Sequence, residues 1–390
     1  MNPFSSSFRL GILGGGQLGR MLIQSAIDFN LYVKVMDGDA DAPCRALAHE
    51  FTLGKLTDFD AVYAFGKTVD VLTIEIEHVN VDALEKLEAE GLHVYPQPRV
   101  IRTIQDKRVQ KRFYETHKIP TSPFVLVDNA EQIRQHAGFL PAFQKLGTMG
   151  YDGRGVQRLG SLDDLEKAFP EPGLLEKAVD VAKEISVIVA RNVRGEVAVF
   201  PAVELVFHPV KNLVEYLLAP AQLDEPTVAQ ANEIALGVAQ HLGIVGLLAV
   251  EMFVTPDGEV LVNESAPRPH NSGHHTIRAN YTSQFEQHLR AILGLPLGDT
   301  DTQTQAAMVN LLGEDGHSGE AVYAGMDDIL QINGVYPHLY GKRFTKPFRK
   351  MGHVTILDDD LEVLKEKIRH VQEKLKVVSA GQPANIHHNI

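Results

Sequence analysis

Two acidic residues, Glu251 and Glu264, stand in apolar runs on either side of a Pro256-Asp257-Gly258 turn signal. Residues 247–254 are rich in β-branched and aliphatic side chains, and 259–264 read as the returning strand. Asp-Gly between two such runs predicts a two-residue hairpin, with positive φ at both turn positions. That register sets Glu251 directly opposite Glu264 on one face, with Cβ atoms roughly 5 Å apart. Opposed carboxylates repel and need compensation. A hard divalent cation supplies it, and Mg²⁺ takes one or two protein carboxylates together with substrate phosphates. A protonated glutamate or a longer turn would remove the need. Just beyond the hairpin, Arg268, His270, Asn271, His274 and His275 share one loop. So many hydrogen-bonding groups are costly in a loop unless they meet a polar ligand.

The rest of the chain must hold these groups in place. In the N-terminal third, residues 8–13, 32–36 and 69–74 read as apolar strands, and 22–29, 59–66 and 81–90 as helices. This alternation implies a parallel sheet covered on both faces. Gly14, Gly16 and Gly19 satisfy G-x-G-x-x-G between the first strand and its helix, and Asp37 ends the second strand. The pattern is that of dinucleotide binding and supports a nicotinamide-dependent oxidoreductase using Gly14–Gly19. The loop itself asks only for an anion at a helix N-terminus, so a single phosphate would also serve. A plain tight turn accounts for the glycines too. Glu75 and Glu77 share a face at the carboxyl end of the third strand, where open sheets bind ligands.

Residues 97–117 read as one helix whose basic face, with Lys107, Lys111 and Arg112, is expected to be solvated. Lys145 precedes a loop over 147–155 with four glycines, whose N–H groups can approach phosphate oxygens closely. It is not a Walker-type P-loop. A short strand over 174–179 leads to Glu184 and a strand over 185–191, with Glu204 and His208 ending the next hairpin. A helix over 225–242 returns to the Glu251 strand. In the last quarter, 283–293 and 361–376 read as helices, and 308–312, 335–340 and 353–357 as strands. Between these lie Lys342, Arg343, Lys346, Arg349, Lys350 and His353, a local anion site in an acidic chain.

The chain has 390 residues, a formal charge of −13 and is 44% hydrophobic and 22% charged. Those values fit a soluble protein of two or three domains and argue against a nucleic-acid partner. Cys44 is the single cysteine, so neither an internal disulfide nor a cysteine zinc site is available. No signal peptide, membrane span or membrane partner is expected, and a cytoplasmic enzyme fits.

A lysine, a glycine-rich loop, a strand ending in Glu and two strands with paired carboxylates resemble the ATP-grasp superfamily. Within it the chain resembles the 5-(carboxyamino)imidazole ribonucleotide synthase family over nearly its whole length. The resembling motifs are ILGGGQLGRM, GYDGRG, NESAPRPHNSGHHT, SQFEQHLRAI and RKMGH. Ala266 departs from the Asn common in the superfamily, and Val156 from a common Gln. The implied fold is α/β and α+β. A Rossmann-like preATP-grasp domain (1–106) precedes a two-lobed ATP-grasp domain (107–295) and a small C-terminal β-rich domain (296–390).

The resemblance implies ATP held by Lys107, Lys145 and the loop Gly150, Tyr151, Asp152, Gly153, Arg154, Gly155 and Val156. It adds Glu176, Lys177, Ala178 and Val179 at the adenine, then Glu184, Glu204 or His208, Asn263 and Glu264. Glu251 and Glu264 would hold one or two Mg²⁺, with Mn²⁺ able to substitute. Asp152, Arg154, Arg268, His270 and Asn271 would serve catalysis on bicarbonate and carboxyphosphate. Gly16, Gln17, Leu18, Glu75, Arg343, Arg349 and Lys350 would take 5-aminoimidazole ribonucleotide. A homodimer is implied as well. Another ATP-grasp ligase of purine synthesis, such as a formate-dependent transformylase, remains a rival at this point.

Overall fold

A computed structural model describes residues 2–148, 150, 155–207 and 214–381. Tyr151, Asp152, Gly153, Arg154 and His208, all expected at the site, lie outside the described residues. The N-terminal sheet is parallel and runs Glu50–Leu53, Tyr32–Asp37, Arg9–Leu13, Val71–Ile74, His93–Val94. Its order reverses between Arg9–Leu13 and Val71–Ile74, so Gly14 and Glu75 meet at the crevice where such sheets bind ligands. The strand Glu50–Leu53 escaped the sequence reading because it has no buried residue and so no apolar pattern.

The second sheet is small and antiparallel: Phe124–Val127, Gly173–Lys177, Ala142–Leu146, Val156–Leu159. The third is the backbone of the molecule. It runs Val260–Ala266, Gly246–Val254, Lys183–Arg191, Val203–Phe207, Val214–Ala219, Ala306–Leu312, Lys350–Leu357, Val335–Leu339. Strands from the last quarter therefore continue this central sheet, through Tyr216 opposite Val309, and a separate small sheet forms only from Gly319–Ala324, Phe344–Thr345 and Lys376–Ser379.

The helix Glu225–Leu242 shows how local chemistry aims the central hairpin. Asp224 caps it by accepting the Thr227 N–H, and Gly243, at φ 59°, ends it. Ala231, Ala235, Val238, Ala239 and Leu242 form one buried stripe against Val250, Met252 and Val262. Full burial of each larger aliphatic side chain stabilises by roughly 1.5–3 kcal/mol. On the other side, Phe285 and Leu289 of Gln284–Ile292 pack with Leu18 and Leu22, locking the N-terminal sheet to the centre.

The single helix expected over 97–117 is two, Pro98–Gln105 and Lys107–Thr116. Asp106 between them is extended, and its carboxylate accepts the Arg108 N–H as an N-cap. The break puts Lys107 on the first turn of a new helix, with its own N–H donated to Gly147 O at 2.7 Å.

Candidate active site

The central hairpin differs from its expected form, yet it delivers the expected pair. Its turn holds three residues: Thr255 N–H bonds Glu259 O, and only Gly258, at φ 81°, is left-handed. From that turn the register pairs Met252 with Val262, which would slip Glu264 out of line. A bulge at Asn263 inserts one residue and restores Glu251 opposite Glu264. Bulges re-aim side chains. Here Asn263 Oδ1 accepts from Lys145 Nζ at 2.7 Å, while Glu264 pairs with Lys107 Nζ.

The neighbouring strand supplies the rest of this face. Ser186 lies opposite Glu251 and Glu184 opposite Phe253, so Glu184, Ser186, Glu251 and Glu264 share one side. Lys107 holds the Glu264 carboxyl well below the usual range. Desolvation, then the facing Glu264 and nearby Glu184, push Glu251 up. Glu184 is pushed up to about 7 by desolvation, with Lys145 pulling it back. Desolvation also opposes ionisation of Glu176, but the ammoniums of Lys145 (3.0 Å) and Lys111 (3.1 Å) win and lower it. Desolvation brings Lys111 down to about 8, against the pull of Glu176.

His270 stands beside Glu251, its Nε2 3.6 Å from the carboxylate. The Ser272 N–H donates to His270 Nδ1, so the ring proton lies on Nε2 and points at Glu251. Ser272 Oγ lies 2.9 Å from Nδ1 and 2.8 Å from Ser186 Oγ, fixing the ring. Arg268 Nε meets Glu77 at 2.8 Å, linking this loop to the N-terminal sheet. Asn271 exchanges both amide bonds with Asn310 and thereby braces the loop against the central sheet. His274 and His275, read as part of a ligand-hungry loop, are instead buried at 1% and 2% exposure. His274 bonds Gln284 and packs on Tyr340 and His353, and desolvation lowers both imidazole pKa values, that of His275 to about 4.

The glycine loop carries a carboxylate of its own. Glu75 Oε2 accepts the Gly19 N–H at 3.0 Å, and a Cβ on Gly16 would lie 2.7 Å from Glu75 Oε1. Asp37 accepts the N–H groups of Gly15 and Asp39 at 2.6 and 2.7 Å. The helix N-terminus that would take a pyrophosphate thus faces Glu75, and the acid that would take a ribose is already used. These contacts weigh against the nicotinamide reading. Desolvation raises the Glu75 carboxyl, with the Gly19 N–H opposing.

Other expected residues divide. Lys350 lies near enough to Glu251 to lower its pKa, and Lys342 Nζ bonds Lys350 O. Arg343 is turned outward, its side chain 68% exposed, 3.8 Å from Glu320, and Arg349 bonds Phe344 O. Glu204 lies opposite Ile185, on the other face of the sheet from Glu184, and pairs with Lys183 at 2.8 Å. The N–H groups of Lys177 and Ala178 are bonded to Pro123 and Pro141. Lys111 was expected on a solvated face and is 2% exposed. Its position four residues after Lys107, one turn along the same helix, was the available signal.

Comparison with known proteins yields a consistent picture. An ATP-grasp domain matches residues 112–285, a ribonucleotide synthetase preATP-grasp domain 8–105, and a phosphoribosylaminoimidazole carboxylase C-terminal domain 306–367. The N5-carboxyaminoimidazole ribonucleotide synthase of Bacillus subtilis is 38% identical, over 89% of this chain and 91% of that protein. The crystal structure of N5-carboxyaminoimidazole ribonucleotide synthetase from Thermotoga maritima is similar at TM-score 0.89 and 42% identity, covering 95% and 99% of the two chains. That of the Aspergillus clavatus synthase in complex with ADP and 5-aminoimidazole ribonucleotide gives 0.84 and 32%, covering 94% and 97%. The chain spans only 66% and 65% of the length of the matching plant and fission-yeast carboxylases.

Proposed function

The chain belongs to the N5-carboxyaminoimidazole ribonucleotide synthase family of ATP-grasp enzymes, and from that premise we propose that it carboxylates 5-aminoimidazole ribonucleotide with ATP and bicarbonate. One observation carries the reading: paired carboxylates on a bulged hairpin at the edge of the central sheet, flanked by Lys107 and by Lys145 of the small sheet. In this reaction bicarbonate oxygen attacks the γ-phosphorus, ADP leaves, and carboxyphosphate forms. Carboxyphosphate releases CO₂ and phosphate. The exocyclic amine then adds to CO₂ and loses a proton, giving the carbamate of de novo purine synthesis. The enzyme is thus an ATP-dependent carbon–nitrogen ligase.

Magnesium fits the chain's own residues. Among the described residues no three His, Cys, Asp or Glu groups gather to hold a metal. A two-carboxylate site that shares its ion with substrate phosphates is what Mg²⁺ accepts. Glu251 and Glu264 would hold it, and it would neutralise charge on the transferred phosphoryl group. Lys107 and Lys145 reach the same place and would cradle phosphate oxygens. Glu184, at the far end of that face, would accept from the ribose. His270 and Arg268 would receive bicarbonate, the imidazole proton being held on Nε2. Asp152 and Arg154 of the glycine-rich loop are assigned to the amine and to carboxyphosphate by resemblance. Lys350 and the Gln17 loop would meet the ribonucleotide. A cytoplasmic homodimer completes the reading.

The deciding assay is phosphate release. It should require both 5-aminoimidazole ribonucleotide and bicarbonate, and formate should not replace bicarbonate. Formate-dependent turnover would favour the rival transformylase reading.

Glu184 provides an independent check through pH. Its carboxyl ionises at about 7 when folded and about 4.5 when unfolded, so the folded state holds the proton more tightly. Its contribution to stability is therefore lost as pH rises from about 4.5 through 7. Glu184→Gln removes that loss. The nucleotide-free variant should gain about 2 kcal/mol over the wild type between pH 5 and pH 8, read by denaturant titration. An unchanged difference at the two pH values would contradict the buried carboxyl.

A further inference from the structure

We propose that Lys111 is a positioning residue for phosphoryl transfer, acting through Glu176 and the Asn263 bulge; this rests on the ligase reading above. The helix Lys107–Thr116 turns one face to the bulged strand. Lys107 reaches Glu264, Gln110 bonds Ser265 N and O, and Tyr114 Oη lies 2.8 Å from Ser265 Oγ. These residues, with Lys111, follow the i, i+3, i+4, i+7 spacing of one helix stripe. The stripe meets Val262 and Ser265, which bracket the two residues, Asn263 and Glu264, that the bulge re-aims.

Lys111 is the pivot of that stripe. The Lys111 ammonium has three partners: it forms an ion pair with Glu176 Oε2 at 3.1 Å and donates to Thr121 Oγ1 and to Val262 O at 3.4 Å. Thr121 Oγ1 in turn donates to Val262 O at 2.6 Å, and Val262 N–H donates to Pro120 O at 2.8 Å. Residues 120–122 lead into the small sheet, and Glu176 is the penultimate residue of that sheet's strand Gly173–Lys177. One buried charge therefore ties the bulge, the entry to the small sheet and the carboxylate that orients Lys145. Lys145 then reaches Asn263, closing a ring of contacts around the place proposed for the phosphates. Lys111 itself is 2% exposed, one turn behind Lys107.

The test compares Lys111→Met, Glu176→Gln and the double variant Lys111→Met/Glu176→Gln. Measured are kcat, KM for each substrate, Mg·ADP affinity by calorimetry, and thermal midpoint. Lys111→Met should lower kcat about 30-fold or more and weaken Mg·ADP about tenfold, with KM for the ribonucleotide within twofold. Because Lys111 acts through Glu176, the double variant should lie within threefold of the poorer single variant. Wild-type kcat in a folded Lys111→Met protein, or losses that multiply in the double variant, would overturn the proposal. If Lys111→Met does not fold, the double variant against Glu176→Gln decides in the same way. If the wild type shows no ribonucleotide-dependent turnover, the ligase reading fails. The Mg·ADP comparison still judges Lys111: unchanged affinity in Lys111→Met sinks it.

Discussion

Glu264→Gln is expected to lower kcat by roughly three orders of magnitude and to leave the protein folded. A factor of 10³ corresponds to about 4 kcal/mol of transition-state stabilisation, within what a charge-neutralising metal contributes. The amide keeps the shape of the side chain but removes one of two carboxylates proposed to hold the ion. Folding survives because the neighbours compensate. Desolvation first, and then the facing Glu264 charge, raise the Glu251 carboxyl. Without that charge Glu251 ionises more readily and becomes the counter-ion for Lys107. The checks are steady-state kcat over a Mg²⁺ series, and the thermal midpoint, expected to shift by only a few degrees. Activity within tenfold of the wild type, in protein saturated with Mg²⁺, would remove Glu264 from the metal site and with it the centre of the proposed chemistry.

Lys145→Met gives the second large effect, a loss of about 10²–10³ in kcat/KM for ATP. Lys145 Nζ sits 2.7 Å from Asn263 Oδ1 and 3.0 Å from Glu176 Oε2, at the rim between the small sheet and the hairpin. Truncating one member of a desolvated charged pair costs roughly 2–5 kcal/mol, much of it from the partner left behind. That partner is Glu176, with a side chain 3% exposed, which keeps Lys111 at 3.1 Å as its paired ammonium. Lys145→Arg should recover little, since a planar guanidinium does not replace a compact ammonium in this space. Separate ATP and ribonucleotide titrations check the result. Wild-type kcat/KM for ATP in the Met variant would show that the lysine serves only packing.

Several features were legible because they depend on neighbours in the chain. The helix Glu225–Leu242 announced itself by its cap, its glycine stop and its apolar stripe. The Glu251–Glu264 pair was readable from strand alternation, although the reason given by the turn was incomplete. Gly258 alone adopts positive φ, and the residue lost from the expected register is returned by the bulge at Asn263. A bulge leaves little trace in composition, since Val-Asn-Glu reads as ordinary strand. The glycine loop was the opposite case. Its motif was correctly recognised, yet the fingerprint says only that an anion belongs there. It does not say that the carboxyl of Glu75, 56 residues from Gly19 and just past the strand Val71–Ile74, already accepts an N–H there.

By itself the sequence determined which groups could do chemistry and how closely the backbone would space them: two carboxylates on one hairpin face, a lysine before a glycine-rich loop, an Arg-His-Asn loop beyond. Backbone rise and side-chain period are local, so these spacings hold in any tertiary setting. Only the tertiary structure decided which of these groups lose water and whom they then face. It turned Glu204 to the far side of the sheet, sent Arg343 into solvent, buried His274 and His275, and drew Lys111 inward between Glu176 and Val262. Desolvation and charge pairing set whether a polar side chain binds a ligand or braces the fold, and both come from segments distant in the chain.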